Sequence, residues 1–301
     1  MTTLTRLGIR WKGCERSRLG LVMVCLLAFG GTGRDSNLNL AQPARASDGL
    51  GSEQSLPAVV MLGIDPSEPT TLYAGVRGAG VFKSSDDGAS WQAVNAGLPT
   101  NAAVQALAVH PTTPATLYVG TDRGVFKSTD GGKNWRAANL SRAVTTLAID
   151  PQTPSRLYVG TCNGVFKSDN EGQSWTAINS GLTRMSFSGL EVFPFLTSLV
   201  IDPVSPSILY VGAIESVYKT NDEGASWRSV YVGASTPEIP GFPSLSLSGV
   251  TALIIDPITP ATLYIGITGS GEASGGRCGL SWNGLTGGII KSGDGGTTWN
   301  K

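Results

Sequence analysis

The sequence predicts an all-β fold, a β-propeller of four-stranded antiparallel blades with five repeats visible and the last blade incomplete. Three observations lead there. One unit recurs five times after residue 56. Each unit holds four short runs of strand character separated by turn residues. Glycine is abundant, at 40 of 301 residues, without the period of a collagen. A charged fraction of 15% excludes a coiled coil, and 41% hydrophobic residues suffice for a core.

The clearest unit reads AVQALAVHPTTPATLYVGTDRGVFKSTDGGKNWRAAN, residues 103–139. Its first strand is the alternating run Val104 to Val109. An Asp-Pro step or its equivalent follows in every unit: Asp65-Pro66, His110-Pro111, Asp150-Pro151, Asp202-Pro203 and Asp256-Pro257. These steps lie 45, 40, 52 and 54 residues apart, the length of a blade. Prolines such as Pro111 and Pro114 fall where no ladder donor is needed. The second strand is Thr116 to Gly120, the third Val125 to Ser128, and the fourth begins at Trp135. His110 reads as a variant turn residue. Lys83, Lys127, Lys167, Lys219 and Lys291 recur with the repeat and read as solvated strand residues. The chain stops two residues after Trp299, so the fifth blade is expected to lack its fourth strand. The blades span about 57–95, 103–139, 143–179, 197–231 and 249–301.

Residues 1–46 read as a secretory signal. Arg6 to Arg18 form a basic stretch, Leu19 to Gly31 an apolar run, and Ala44-Arg45-Ala46 a small-x-small cleavage pattern. The apolar run is too short to span a bilayer stably, although an uncleaved anchor is the alternative. Residues 47–56 are a linker. The remainder, with 15 basic and 20 acidic residues, is too acidic to grip a phosphate backbone, so no nucleic-acid partner is expected. The expected location is extracytoplasmic, with no transmembrane helix in the mature chain. Cys162 and Cys278 remain after cleavage and either pair or stay free. A single His and the cysteine spacing give no metal site, and no cofactor is expected.

Between third and fourth strands each unit carries a turn box. The five are Ser84, Asp86, Gly88, Trp91; Ser128, Asp130, Gly132, Trp135; Ser168, Asn170, Gly172, Trp175; Thr220, Asp222, Gly224, Trp227; and Ser292, Asp294, Gly296, Trp299. This S-x-D-x-G-x-x-W pattern is the Asp box, and residues 57–301 resemble the Asp-box (BNR) repeat propellers. Five copies of one acid at one turn position imply scaffolding: side-chain oxygens accept turn N–H groups, Gly supplies a positive φ, and Trp covers the turn.

Function is expected where the repeat breaks. The a–b turns and boxes lie on one face, and the b–c and d–a loops on the other. That second face carries the long stretches 179–198, 231–249 and 267–288, with Phe187, Phe193, Phe195, Phe242 and Trp282 read as exposed. It also gathers Arg77, Arg123, Arg142, Arg184 and Arg277. The binding candidates are these five arginines with Phe193, Phe195 and Trp282; no catalytic residue is assigned.

Three families share the resemblance. Sialidases imply an arginine triad with a Tyr–Glu pair, but no Phe/Tyr-Arg-Ile-Pro segment and no such pair can be mapped. Xyloglucanase-type glycosidases share the DPxxPxxLYVGT and GVFKSTDGGxxW style, yet imply paired Asp residues between two propellers, and this chain has room for one. The photosystem II assembly and stability factors are exported single propellers without catalysis, and size, signal and arginines fit them best. They imply a protein-binding or assembly scaffold in the periplasm, a secreted protein, or the thylakoid lumen if the source is photosynthetic. The alternative is a glycan-binding or glycoside-hydrolysing propeller, for which Asp122 and Glu191 are the acids to inspect. The expected partner is therefore a protein or a glycan.

Overall fold

In a computed structural model, the described residues are 59–187, 190–214, 216–232, 249–268, 273–274, 281–282 and 287–300. Residues 1–46 and 47–56, read from the sequence as a signal and a linker, and most of the stretches around Phe242 and Arg277 lie outside them.

Blade one holds β1 (Val59–Ile64), β2 (Leu72–Val76), β3 (Gly80–Ser84) and β4 (Gln92–Ala93). Blade two holds β5 (Val104–Val109), β6 (Leu117–Thr121), β7 (Gly124–Ser128) and β8 (Arg136–Ala137). Blade three holds β9 (Val144–Ile149), β10 (Leu157–Thr161), β11 (Gly164–Ser168) and β12 (Thr176–Ala177). A hairpin, β13 (Met185–Phe187) with β14 (Leu190–Val192), occupies the stretch read from sequence as an irregular connection. Blade four holds β15 (Leu196–Ile201), β16 (Leu209–Ala213), β17 (Ser216–Thr220) and β18 (Arg228–Val232). The last sheet has three strands, β19 (Val250–Ile255), β20 (Leu263–Thr268) and β23 (Gly287–Ser292); β21 (Ala273–Ser274) pairs with β22 (Ser281–Trp282) between them. Every sheet is antiparallel in sequence order, so each blade folds from contiguous chain.

The cores lie between blades, not within them. Tyr73 and Val81 of blade one pack with Leu107, Leu117, Val119 and Phe126 of blade two, and three further clusters repeat this at the next three seams. Strand b is buried on both faces because it has a neighbouring blade on each side: β6, β10 and β16 are buried throughout. Its Gly is required by close approach. A Cβ on Gly120 would stand 2.4 Å from Val144 Cγ1, and one on Gly212 3.0 Å from Val250 Cγ1, in each case the first residue of the next blade.

Consecutive blades meet through their first strands: β1 with β5, β5 with β9, β9 with β15, β15 with β19. Among the described residues no comparable contact joins β1 to the last blade. The exposures agree. Tyr73, Tyr118, Tyr158 and Tyr210 are at most 2% exposed, but the equivalent Tyr264 is 36% exposed. Val81, Val125, Val165 and Val217 are at most 1% exposed, whereas Ile289 is 71% exposed. On the far flank, Val59 and Ile64 are 37% and 41% exposed where blade two buries Val104 and Val109.

Candidate functional site

The box side is a set of fasteners. Ser84 Oγ accepts the Gly88 N–H (2.9 Å) and donates to Asp86 Oδ1 (2.7 Å), which also accepts the Ser90 N–H (2.8 Å). The same pattern recurs at Asp130, Asp222 and Asp294, and Asn170 reproduces it through its amide oxygen. Side-chain donors at Ser90, Asn134, Ser226 and Thr298 are the leading reason these four carboxyls are held down at about 2. Gly88, Gly132, Gly172, Gly224 and Gly296 all have positive φ. Each Trp then reaches backwards. The indole N–H of Trp135 donates to Val94 O, Trp175 to Ala138 O, Trp227 to Ile178 O and Trp299 to Val230 O, at 2.7–2.8 Å. No such partner exists for Trp91 among the described residues.

Of the recurring lysines, Lys83, Lys127, Lys167 and Lys219 are half-buried and not the solvated strand residues that the sequence suggested, whereas Lys291 is exposed. Each faces the strand-b Tyr in register, as Tyr73↔Lys83 and Tyr118↔Lys127 do, and four ammonium groups stand 5.1–5.5 Å over those rings. Three of them reach forward to the fourth box position of the next blade. Lys127 Nζ meets Glu171 Oε2 at 2.6 Å, Lys167 meets Glu223 Oε2 at 2.9 Å, and Lys219 donates to Gly295 O at 3.0 Å. Burial pulls Lys127 down, but Glu171 and Tyr118 raise it overall; Lys219, facing a carbonyl and no acid there, is lowered by burial and then by Arg228. Arg156 widens the seam between blades three and four by pairing with Asp150, Asp169 and Glu223. Tyr210 Oη donates to Gly295 O, whereas the buried Tyr158 hydroxyl has no hydrogen-bond partner among the described residues. The signal for two of these locks was present in the sequence: an acid stands at that box position as Glu171 and Glu223, one blade after Lys127 and Lys167, whereas Gly131 and Gly295 stand there one blade after Lys83 and Lys219.

His110 takes the place of the Asp in the a–b turn. Its Nδ1 accepts the N–H groups of Thr112 (3.3 Å) and Thr113 (3.1 Å), as Asp150 Oδ1 accepts those of Gln152 and Thr153. Burial lowers its pKa, consistent with a neutral ring accepting at that nitrogen.

The loop side differs. Arg77 stands in the β2–β3 turn, Arg123 in the β6–β7 turn, Arg142 just before β9 and Arg184 just before β13, all exposed. The Arg142 guanidinium lies 5.5 Å from the Phe166 ring centroid, and Arg184 lies 4.6 Å from that of Phe193. None of the four makes an ion pair among the described residues, although Lys127, Arg156 and Lys167 on the box side all do. Phe193 and Phe195 are half-buried and not exposed as expected, because Phe193 packs on the core between blades three and four. Asp122 is exposed and accepts the Ala103 N–H at 2.9 Å. Cys162, in the β10–β11 turn, is disulfide-bonded. Arg277, Cys278 and the side chains of Phe187, Glu191 and Trp282 lie outside the described residues. Among the described residues no cluster of His, Cys, Asp and Glu could hold a metal, and no helix is long and apolar enough to cross a membrane.

Comparison with known proteins places this geometry. The Sortilin-Vps10 family (sortilin, neurotensin receptor 3) matches residues 79–194. An ancestral GH74 enzyme superposes with a TM-score of 0.59 at 20% identity, over 79% of this chain and 30% of its own. The GH74 xyloglucanase of Xanthomonas campestris gives 0.57 at 17% identity, over 79% and 37%. The extracellular domain of BT4673 from B. thetaiotaomicron gives 0.52 at 18% identity, over 73% and 27%. The chain is a β-propeller. This propeller spans about a third of the length of those proteins, and the likeness is one of fold. No curated protein matches it.

Proposed function

We propose that this propeller is an extracytoplasmic binding scaffold that takes an acidic protein segment on its loop side, without catalysis of its own. The observation that carries the reading is the division of cations between the two sides. Lys127, Lys167, Lys219 and Arg156 are consumed by the seams, whereas Arg77, Arg123, Arg142 and Arg184 face solvent with no ion pair among the described residues. Two of them are held over aromatic rings, which limits the side-chain entropy lost on binding. Guanidinium groups so presented match carboxylates bidentately. The structural relatives include an extracellular domain, and the basic–apolar–small order of residues 1–46 agrees with export.

The test is binding of immobilised polyglutamate and of a panel of neutral oligosaccharides, measured across a salt series. Polyglutamate should bind and weaken as salt rises. Arg77→Ala with Arg123→Ala should lower the affinity and flatten that slope while the circular dichroism spectrum stays unchanged. Binding or cleavage of an oligosaccharide, with polyglutamate ignored, would overturn the reading in favour of a glycan-directed propeller.

A further inference from the structure

The seams share one geometry but do not balance their charges alike. Between blades two and three, a box-side groove of about 540 Å³ is lined by Lys127 and Arg136 together with Asp130 and Glu171, so its cations meet acids. One seam earlier the matching groove, of about 450 Å³, runs past Lys83, Gln92, Gly131 and Lys133. Gln92 stands where Arg136 does, Gly131 where Glu171 does, and Lys133 where Gln173 does. The charged residues that line this groove are both lysines.

Gly131 withdraws the carboxylate from in front of Lys83. A Cβ there would stand 3.3 Å from Lys83 Nζ and 3.5 Å from Tyr73 Oη, so both groups converge where a box side chain begins. Neither has a hydrogen-bond partner among the described residues, and the half-buried Lys83 meets only the Tyr73 ring, at 5.4 Å. The other glycine seam differs: Lys219 Nζ and Tyr210 Oη both turn onto Gly295 O, at 3.0 and 3.1 Å. Burial, and then Asp65, push the Tyr73 hydroxyl up to about 12, so it keeps a proton to donate. The Asp65 carboxylate is held in its own turn by the Ser67 and Glu68 N–H groups.

We propose that the groove between blades one and two binds a small organic carboxylate, which meets Lys83 as the Glu171 and Glu223 side chains meet Lys127 and Lys167. The two sibling seams select that class of anion, because there the same Lys takes a carboxylate. Lys83 and the Tyr73 hydroxyl donate to it, and Lys133, exposed on the groove, adds positive potential. Because Lys83 and Lys133 belong to successive blades, the ligand bridges the seam and stabilises the fold by mass action. This site is on the box side and does not depend on what binds the loop side.

Glutarate is the probe. Titrated into the isotope-labelled full chain, it should shift the Gly131 and Lys133 amide resonances saturably and raise the melting temperature, whereas neutral glutaramide should do neither. Lys83→Met should weaken binding by about tenfold, the loss of one charge-assisted pair, and Lys133→Ala by less. Gly131→Glu supplies an internal carboxylate, at a φ of 72° near the 58° of Glu171 and Glu223, and should abolish binding. Arg77→Ala with Arg123→Ala should bind glutarate like the parent, which separates this site from the loop side. An absence of saturable shifts at the groove would overturn the proposal. So would equal binding of glutaramide or sulfate, or a Lys83→Met protein that keeps its circular dichroism spectrum and its full affinity.

Discussion

The seam between blades two and three and the open flank of blade five are made from the same residues, yet they have opposite fates. At the seam, Tyr118, Val125 and Lys127 disappear beneath the box of blade three, and the Trp175 indole returns the contact by bonding Ala138 O. At the flank, Tyr264, Ile289 and Lys291 repeat that arrangement without a cover among the described residues. The difference teaches that a blade is not a stable unit in itself. Its apolar faces become a core only when a neighbour arrives, which is how repeat architectures distribute their stability.

The comparison can be broken most forcefully at the tryptophans. Trp135 is buried and bonded to Val94 O across a seam, so Trp135→Ala should cost about 3–5 kcal/mol in equilibrium denaturation. Trp91 occupies the same box position with no blade before it among the described residues and is half-buried. Trp91→Ala should therefore cost well under half as much. Equal losses would mean that the Trp serves its own turn and not the seam.

Smaller effects should separate the lysines. Lys167 joins Glu223 and Asp169 in a partly exposed network, so Lys167→Ala should cost about 1 kcal/mol, a value discounted for solvent screening. Lys291→Ala, measured at high dilution, should fall within about 0.5 kcal/mol of the parent. A larger loss at Lys291 would show that its flank is already covered within one molecule.

The finest effect is in acid. Asp86, Asp130, Asp222 and Asp294 have pKa values lowered from 3.8 to about 2 by hydrogen bonds to the ionised form. A carboxyl depressed by folding stabilises the native state fully above its unfolded value and loses that contribution as pH falls through the folded one. Stability should therefore drop between about pH 4 and pH 2. Asp130→Asn, which copies the natural Asn170 of blade three, should shrink that drop while keeping the turn. An unchanged acid profile would remove the box carboxylates from the account.

Much of this was legible in the sequence because the repeat does the aligning. Strands β5 to β7 fall within a residue of their expected bounds, and the three-stranded last sheet agrees with an incomplete fifth blade. The outer strand was legible only as a start at Trp135; it proved to be two residues long. The lysines were misread because a regularly repeated Lys between apolar residues looks the same whether it faces water or the next blade. Only the register that sets Tyr118 opposite Lys127, and the turn that brings Glu171 beneath both, separates the two cases. Phe193 was misread for a similar reason. It lies in a non-repeating stretch, where no copy elsewhere in the chain shows which way a side chain points.

The brevity of the outer strands has a consequence for crowding. β4, β8 and β12 each present two residues at the rim, too short a run of free N–H and C=O groups to template a foreign strand. β18 is longer, at five residues, but the ladder beneath it shifts register between Val217 and Tyr218, and such a bulge bends an edge away from flat pairing. Amyloid-type growth along the rim of blades one to four is thus discouraged, whereas the last sheet ends on β23, six residues long.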